Sequence, residues 1–273
     1  MLLNETATWA PDDVAYPTFR DGLPADEIRD GRYFVRFVDS LDELDKVLRL
    51  RFEVFNLELG EGLDSSFATG RDRDRYDRSC HHLAVYDSRY EQLVGTYRIQ
   101  TSAMAATAHG FYSANEFDLS AIPMNIVDQS VELGRACILP EHRNTQVLFL
   151  LWKGLASYCR FNAKRFLFGC CSLTSQDPGF GLSTYDYLRR QHLVHPEVFA
   201  EPRAEFECRA HSRESEGEAI EVNLPRLFRT YLRFGAKVCS PPAIDRQFKT
   251  IDFLVLFDTA AMDVASHRLF FGE

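Results

Sequence analysis

The chain predicts an α/β fold: a mixed sheet with helices on both faces, three layers in α/β/α order. Two observations carry this. Strand-like and helix-like runs follow one another as strand, helix, three strands, helix, strand, helix, two strands, and such alternation builds layered α/β folds. Of 273 residues, 45% are hydrophobic and 26% charged, the balance of a chain with a real core. No repeat of fixed period is present.

The elements are legible in order. Residues 1–30, with Pro11, Pro17, Pro24 and many acids, read as a mobile arm, and residues 31–273 as a single domain. Residues 33–38 alternate like a first strand. Ser40 and Glu43 have the spacing of a capping box, and Leu41, Leu44, Leu48 and Phe52 then share a helix face. GLDSSFATGRDRDRYDRS reads as a charged loop. HHLAVYD and QLVGTYRIQT form two strands joined by a turn at 88–91. A short helix or turn covers 112–120, and 130–139 is a strand. Residues 144–161 form the strongest helix, and RFLFGCCSL is the next strand. Residues 182–191 suggest a short helix and 202–221 a polar loop. The helix at 224–234 stops at Gly235. AKVCS and TIDFLVLFD complete the order.

Bulk properties exclude several classes. A formal net charge of -9 argues against nucleic-acid binding. The first residues are acidic and lack the basic start and apolar stretch of a signal peptide, and no apolar run reaches the roughly 18 residues of a membrane span. Seven cysteines without a CxxC pair or zinc spacing suggest reduced thiols and a cytoplasmic location. Cys80-His81-His82 resembles a metal cluster, but strand neighbours face opposite ways, so no metal is expected.

Four motifs occur in sequence: Arg51-x-x-x-Phe55, Asp74-x-x-Asp77, Gly95-Thr-Tyr-Arg98 and Glu132-x-x-Arg135. The ordered set resembles the acyl-homoserine-lactone synthases and the N-acyl amino acid synthases, branches of the GNAT (acyl-CoA N-acyltransferase) fold. Further segments, DRYDRSCHHLAV, GFYSANEFDLS, VELGRACILPEHR, LFGCCSL and YLRFGAKVCSPPAIDRQFKTIDFLVL, look like the ornithine-acyl-carrier-protein N-acyltransferases, also described as hemolysin-like. The resemblance spans about residues 33–258. It implies transfer of a (3-hydroxy)fatty acyl chain from acyl carrier protein to the α-amine of ornithine or another amino acid, giving a lyso-ornithine-type lipid. The donor is then an acyl-phosphopantetheine thioester, and no bound cofactor is implied. A lipid product implies transient contact with the inner membrane face. The alternatives are a lactone-type signal synthase and a non-catalytic GNAT-like binding module.

The site residues follow from that chemistry. An attacking amine must lose a proton, which makes Glu132 the candidate base, direct or through water, with an ion-pair role as the alternative. Arg135 suits the acceptor carboxylate, or pairs with Asp74 or Asp77. Three residues apart on a regular strand, Glu132 and Arg135 face opposite sides, and a bulge at Gly134 would bring them together. Asp77 joins them as a catalytic candidate. Arg51, Asp74, Arg98 and Phe55 are acceptor-binding candidates, with Asp74 and Asp77 either a solvated loop or an acidic lining for a cationic side chain. The turn EHRNTQ lacks the glycines that wrap a pyrophosphate, which points to Asn144, Thr145 and Gln146 at the helix start as a seat for phosphopantetheine. His142 beside them and His82 are more often structural. Phe111, Phe117 and Trp152 are candidates to line the acyl chain. Arg160, Lys164 and Arg165, or Arg189 and Arg190, offer a basic landing for an acidic carrier protein.

Overall fold

The computed structural model describes residues 16–209 and 222–272. The strands are β1 (Ile28–Asp30), β2 (Tyr33–Phe37), β3 (His81–Asp87), β4 (Gln92–Thr101), β5 (Phe117–Asp118), β6 (Ser130–Ile138), β7 (Phe166–Leu173), β8 (Glu201–Pro202), β9 (Lys237–Val238), β10 (Ala243–Asp245) and β11 (Thr250–Asp258). The helices are α1 (Leu41–Phe52), α2 (Ser102–Thr107), α3 (Met124–Asp128), α4 (Thr145–Phe161), α5 (Pro178–Arg190), α6 (Arg226–Arg233) and α7 (Val264–Phe271). Two compact units result. One takes the chain up to Gly110 together with Leu133–Ala163, the other Phe111–Glu132 together with the chain from Lys164. Strand β6 contributes to both.

In the first unit β1, β2, β3 and β4 pair antiparallel in sequence order. Helix α4 lies along all four. Its close seat on β3 depends on Gly154, where an added Cβ would come within 2.7 Å of the Leu83 side chain. Leu44 and Leu48 of the predicted α1 face are buried, with Val35, Leu83 and Val85 of the sheet, while Leu41 and Phe52 are half-buried. Ser40 occupies the N-cap position of α1 but makes no side-chain cap bond. The expected capping box is absent because Glu43 is taken by Arg36 (2.9 Å to Nη1) and by the Tyr86 hydroxyl (3.0 Å). Past Phe52 the helix widens into a π-type segment, Glu53–Glu58.

The lead-in expected to be a mobile arm lies outside the described residues up to position 15. From Tyr16 onward it is docked. Thr18 Oγ1 donates to the Arg78 carbonyl (2.9 Å), and the Phe19 carbonyl accepts from His81 Nε2 (3.0 Å). Strand β1 then closes the edge of β2.

In the second unit β6 and β7 run parallel, with Ser130 opposite Phe166 and Glu132 opposite Phe168. Strand β11 is antiparallel to β7, and β9 and β10 are antiparallel to β11. A parallel pair among antiparallel ones makes the sheet mixed, as the sequence predicts. One face, carrying Leu173, Ile251, Phe253 and Val255, packs against Leu188 of α5 and Phe228 and Leu232 of α6. By alternation the other face carries Phe168, Cys170, Ser172, Asp252 and Leu254. Helix α5 begins four residues earlier than expected because Asp177 caps it, accepting from the Gly179 amide at 2.9 Å, with Pro178 in the first turn. Helix α6 ends where predicted, with Gly235 at φ 103°.

Candidate active site

In the charged loop before β3, Asp72 and Asp77 are buried. Arg51, at the end of α1, is fully enclosed; its Nε donates to Asp72 Oδ2 (2.7 Å) and its Nη1 to Asp77 Oδ1 (2.6 Å). Arg98 of β4 donates through Nη1 to both Asp74 oxygens (2.6 and 2.7 Å) and to Asp77 Oδ1 (3.0 Å). Arg135 of β6 donates through Nη2 to Asp74 Oδ2 (3.0 Å) and lies 3.3 Å from Asp72 Oδ2. Three arginines thus meet three aspartates, and the cluster is formally neutral. Burial alone would raise the Asp77 carboxyl; Arg51 and Arg98 outweigh it and hold the group well below the ordinary carboxylate range. Asp74 is likewise lowered, Arg98 and Arg135 overcoming burial and the repulsion of Asp77. Asp74 and Asp77 are therefore neither a solvated surface nor an acidic lining: with Asp72 they are spent on guanidinium groups. Arg135 pairs with Asp74 as expected, but its second partner is Asp72, not Asp77.

The neighbours of this cluster are also enclosed. His82 donates Nε2 to the Asp77 carbonyl (3.0 Å), and burial pulls its pKa down to about 4, so it is neutral and orients the loop. His81 bonds the Tyr158 hydroxyl (2.8 Å) as well as Phe19, and burial takes it to about 4 as well. Cys80, His81 and His82 therefore do not converge on a metal. Phe55 is buried within the π-type segment.

The expected irregularity in β6 exists, one residue beyond Gly134. Arg135 has φ 50°, a left-handed conformation uncommon for a non-glycine residue, and pairing with β7 covers only Ser130–Glu132. On the near side of the break the Glu132 carboxylate accepts from the Tyr112 amide (2.8 Å), the Ser113 amide (2.8 Å) and the Ser113 hydroxyl. Three donors fix the carboxylate in place.

At the start of α4, Asn144 is the N-cap, accepting from the Val147 amide at 2.9 Å. Gln146 donates to Asp30 of β1, at 2.9 Å to its carbonyl and 3.0 Å to its carboxylate. Two of the three side chains expected at a phosphopantetheine seat are thus structural. Thr145 is exposed, and the amides of Thr145 and Gln146 are among those a helix leaves without an intrahelical partner. His142 is buried, with Nδ1 3.0 Å from the Tyr33 hydroxyl.

The second unit holds an apolar pocket of about 620 Å³ including its mouth, lined by Phe111, Ile122, Met124, Phe168, Leu254 and Leu256 among others. Phe111 was expected in such a lining. Phe117 is instead fully buried in the β5–β8 pair, and Trp152 belongs to the first unit; both are core aromatics at spacings that a tunnel and a core share.

Several residues were not singled out from the sequence. Asp72 is the third acid of the cluster, and its signal was numerical: three motif arginines need three acids. Gln100 of β4, two residues beyond Arg98, is 2% exposed with neither end of its amide hydrogen-bonded. Glu116, Cys170 and Asp252 bring a carboxylate oxygen, a sulfur and a second carboxylate oxygen within 4.8 Å of one another. The signal for Asp252 was a lone acid inside the apolar run TIDFLVLFD. All seven cysteines are free thiols, five of them buried.

The mixed α/β scaffold is of the GNAT acyltransferase class: the family described as "Acetyltransferase (GNAT) domain" matches residues 50–153. The L-ornithine N(alpha)-acyltransferase of Brucella abortus (strain 2308) is 32% identical over 84% of this chain and 85% of its own length. That of Agrobacterium fabrum (strain C58 / ATCC 33970) is 30% identical over 86% and 83%. The chain belongs to the L-ornithine N(alpha)-acyltransferase family. Among solved structures, the AHL synthase LasI aligns over 89% of this chain and 96% of its own, at 12% identity and a TM-score of 0.47.

Proposed function

We propose that this chain transfers a fatty acyl group from the phosphopantetheine thioester of an acyl carrier protein to the α-amine of ornithine. The observation that carries the reading is the likeness, over 84% of the chain, to a relative named for ornithine Nα-acylation. The amine attacks the thioester carbonyl. The acceptor's ammonium first gives one proton to solvent; then a C–N bond forms, the C–S bond breaks, and the proton the nitrogen sheds goes to the leaving thiolate, so the carrier leaves as its thiol. The reaction so balanced needs no resident cofactor.

The chain's residues divide the work. The apolar pocket of the second unit takes the acyl chain, since burying methylenes there is worth about 0.8 kcal/mol each. Glu132, held in place by Tyr112 and Ser113, faces the attacking nitrogen and stabilises the positive charge that grows there. The Arg51, Arg98 and Arg135 cluster holds the broken strand β6 in shape. The protein works in the cytoplasm and touches the inner membrane face when it releases its lipid product; flotation with anionic vesicles tests that contact, and no co-flotation removes it.

The main test is direct. Purified protein, acyl carrier protein loaded with a 3-hydroxyacyl chain, and ornithine are combined, and products are read by mass spectrometry. Nα-acylornithine is expected. Acylation confined to S-adenosylmethionine, with release of a lactone, sinks the reading.

A further inference from the structure

Helix α6, RLFRTYLR, carries three arginines and no acid, in a chain of 40 acidic and 31 basic residues. Arg226, Arg229 and Arg233 are spaced by three and four, which confines them to about 60° of the helix surface. All three are exposed, while Phe228 and Leu232 of the same helix are buried against the sheet. Among the described residues, no carboxylate or other group holds any of the three guanidinium groups. Exposed arginines elsewhere are held: Arg49 by Asp45, Arg143 by Glu58 and Arg165 by Asp258. Like charges at this spacing repel. The stripe works against the helix that carries it, and an anionic partner accounts for it.

The adjoining helix states what kind of partner fits. Phe234, at the end of α6, meets Phe270 of α7 edge-on, with ring centroids 5.5 Å apart. Phe270 is buried, and α7 shows Val264, Ala265, Arg268 and Leu269 to solvent, a single face by helical spacing. Val264, at 73%, is the most exposed large apolar side chain among the described residues, and Leu269 is open as well. Arg268 has no partner among the described residues either. The cations alone suffice for an acidic protein or a nucleic acid. Open aliphatic side chains beside unpartnered guanidinium groups fit the boundary of an anionic bilayer, where the cations meet phosphate and the methyl groups leave water. The sheet stands between this surface and the apolar pocket: α6 packs on the face of Phe253 and Val255, whereas Phe168 and Leu254 of the pocket lie on the other. A bilayer held at α6 and α7 leaves that pocket open to a carrier-borne chain.

We infer that α6 and α7 form a docking surface for an anionic bilayer, with Arg226, Arg229, Arg233 and Arg268 on the headgroup phosphates and Val264 and Leu269 in the headgroup boundary. Such docking rests on the membrane contact proposed above and adds the side chains that make it. Guanidinium groups suit phosphate oxygens through paired N–H donors.

The test measures partition of the full chain onto phosphatidylcholine vesicles with and without phosphatidylglycerol. Wild-type protein is expected to bind the anionic vesicles, not the neutral ones, and to come off as salt rises. Arg226→Gln, Arg229→Gln and Arg233→Gln together are expected to weaken partition by roughly 10²-fold, at about fivefold per cation. Val264→Ser with Leu269→Ser leaves the charge unchanged and is expected to weaken it at least about tenfold. Circular dichroism checks that both variants are folded, and their acyl transfer without vesicles is expected to match the wild type. Anionic-vesicle binding that persists in both folded variants places the contact on another surface and overturns the inference. Unchanged partition with a raised KM for acyl carrier protein in the triple variant also overturns it, and marks a carrier landing instead. A wild type that binds no vesicle overturns it together with the proposed membrane contact, and leaves acyl transfer standing. Expected partition without transfer to any amine supports the docking surface and removes the catalytic reading.

Discussion

At the scale of single residues, the cluster around Arg51 sets the terms. Taking one partner from a buried ion network leaves the others uncompensated, at a cost of about 3–5 kcal/mol. Arg51→Ala is expected to lower the unfolding free energy by about that amount in urea titrations; a loss within error would show the network to be dispensable. Glu132→Gln keeps the shape and removes the charge. It is expected to lower kcat by roughly 10²-fold with little change in KM for ornithine, measured at saturating acyl carrier protein. The motif residues of this cluster were legible because they recur in a fixed order. Asp72 was not, because RDRDRYDRS reads alike whether it faces water or arginines, and burial is a property of the fold. Asp252 was hidden for the opposite reason: a strand made of TIDFLVLFD reads as core, and one acid in it carries no marker of its neighbours.

Elements were legible wherever periodicity was long and ends were marked. Helix α4 and strands β3, β4, β6, β7 and β11 fall within about a residue of expectation, and Gly235 stops α6 as its conformational freedom predicts. Short pieces escaped: β1, β10, α2, α3 and α7 are too brief to show a period. The capping box at Ser40 failed because sequence spacing cannot reveal that Arg36 and Tyr86 compete for Glu43. The seat of α4 on β3 gives a test at this scale. Gly154→Val would force a side chain into Leu83, and a loss of about 1–3 kcal/mol is expected by thermal or urea unfolding. At the end of α5, Arg189 and Arg190 are exposed. Arg189→Glu with Arg190→Glu is expected to raise KM for acyl carrier protein several-fold while leaving rates with free pantetheine thioesters unchanged.

For the whole molecule, the buried titrating groups predict a stability profile. His81 and His82 ionise near 4 in the fold against 6.5 for an ordinary histidine. Their contribution is full above pH 6.5 and is lost as pH falls toward 4, because the unfolded chain takes protons the fold refuses. Asp252 acts in the other sense: its contribution is full below 3.8 and is lost as pH rises through about 6. Between about 4 and 6, two protons against one leave a net of one, so stability should fall by up to about 1.4 kcal/mol per pH unit of acidification. Urea midpoints across that range check it, and Asp252→Asn should steepen the slope. No helix among the described residues is long and apolar enough to cross a membrane.

The balance of three cations against three anions around Arg51 has a consequence at long range. Equal and opposite charges packed together cancel a few ångströms away, so this cage projects almost no field into solvent. It cannot draw an acidic carrier out of bulk solution, and any such steering falls to surface arginines outside it. Ionic strength should then govern how fast the carrier arrives, through screening over about 10 Å at 0.1 M salt, and leave the enclosed lattice unchanged.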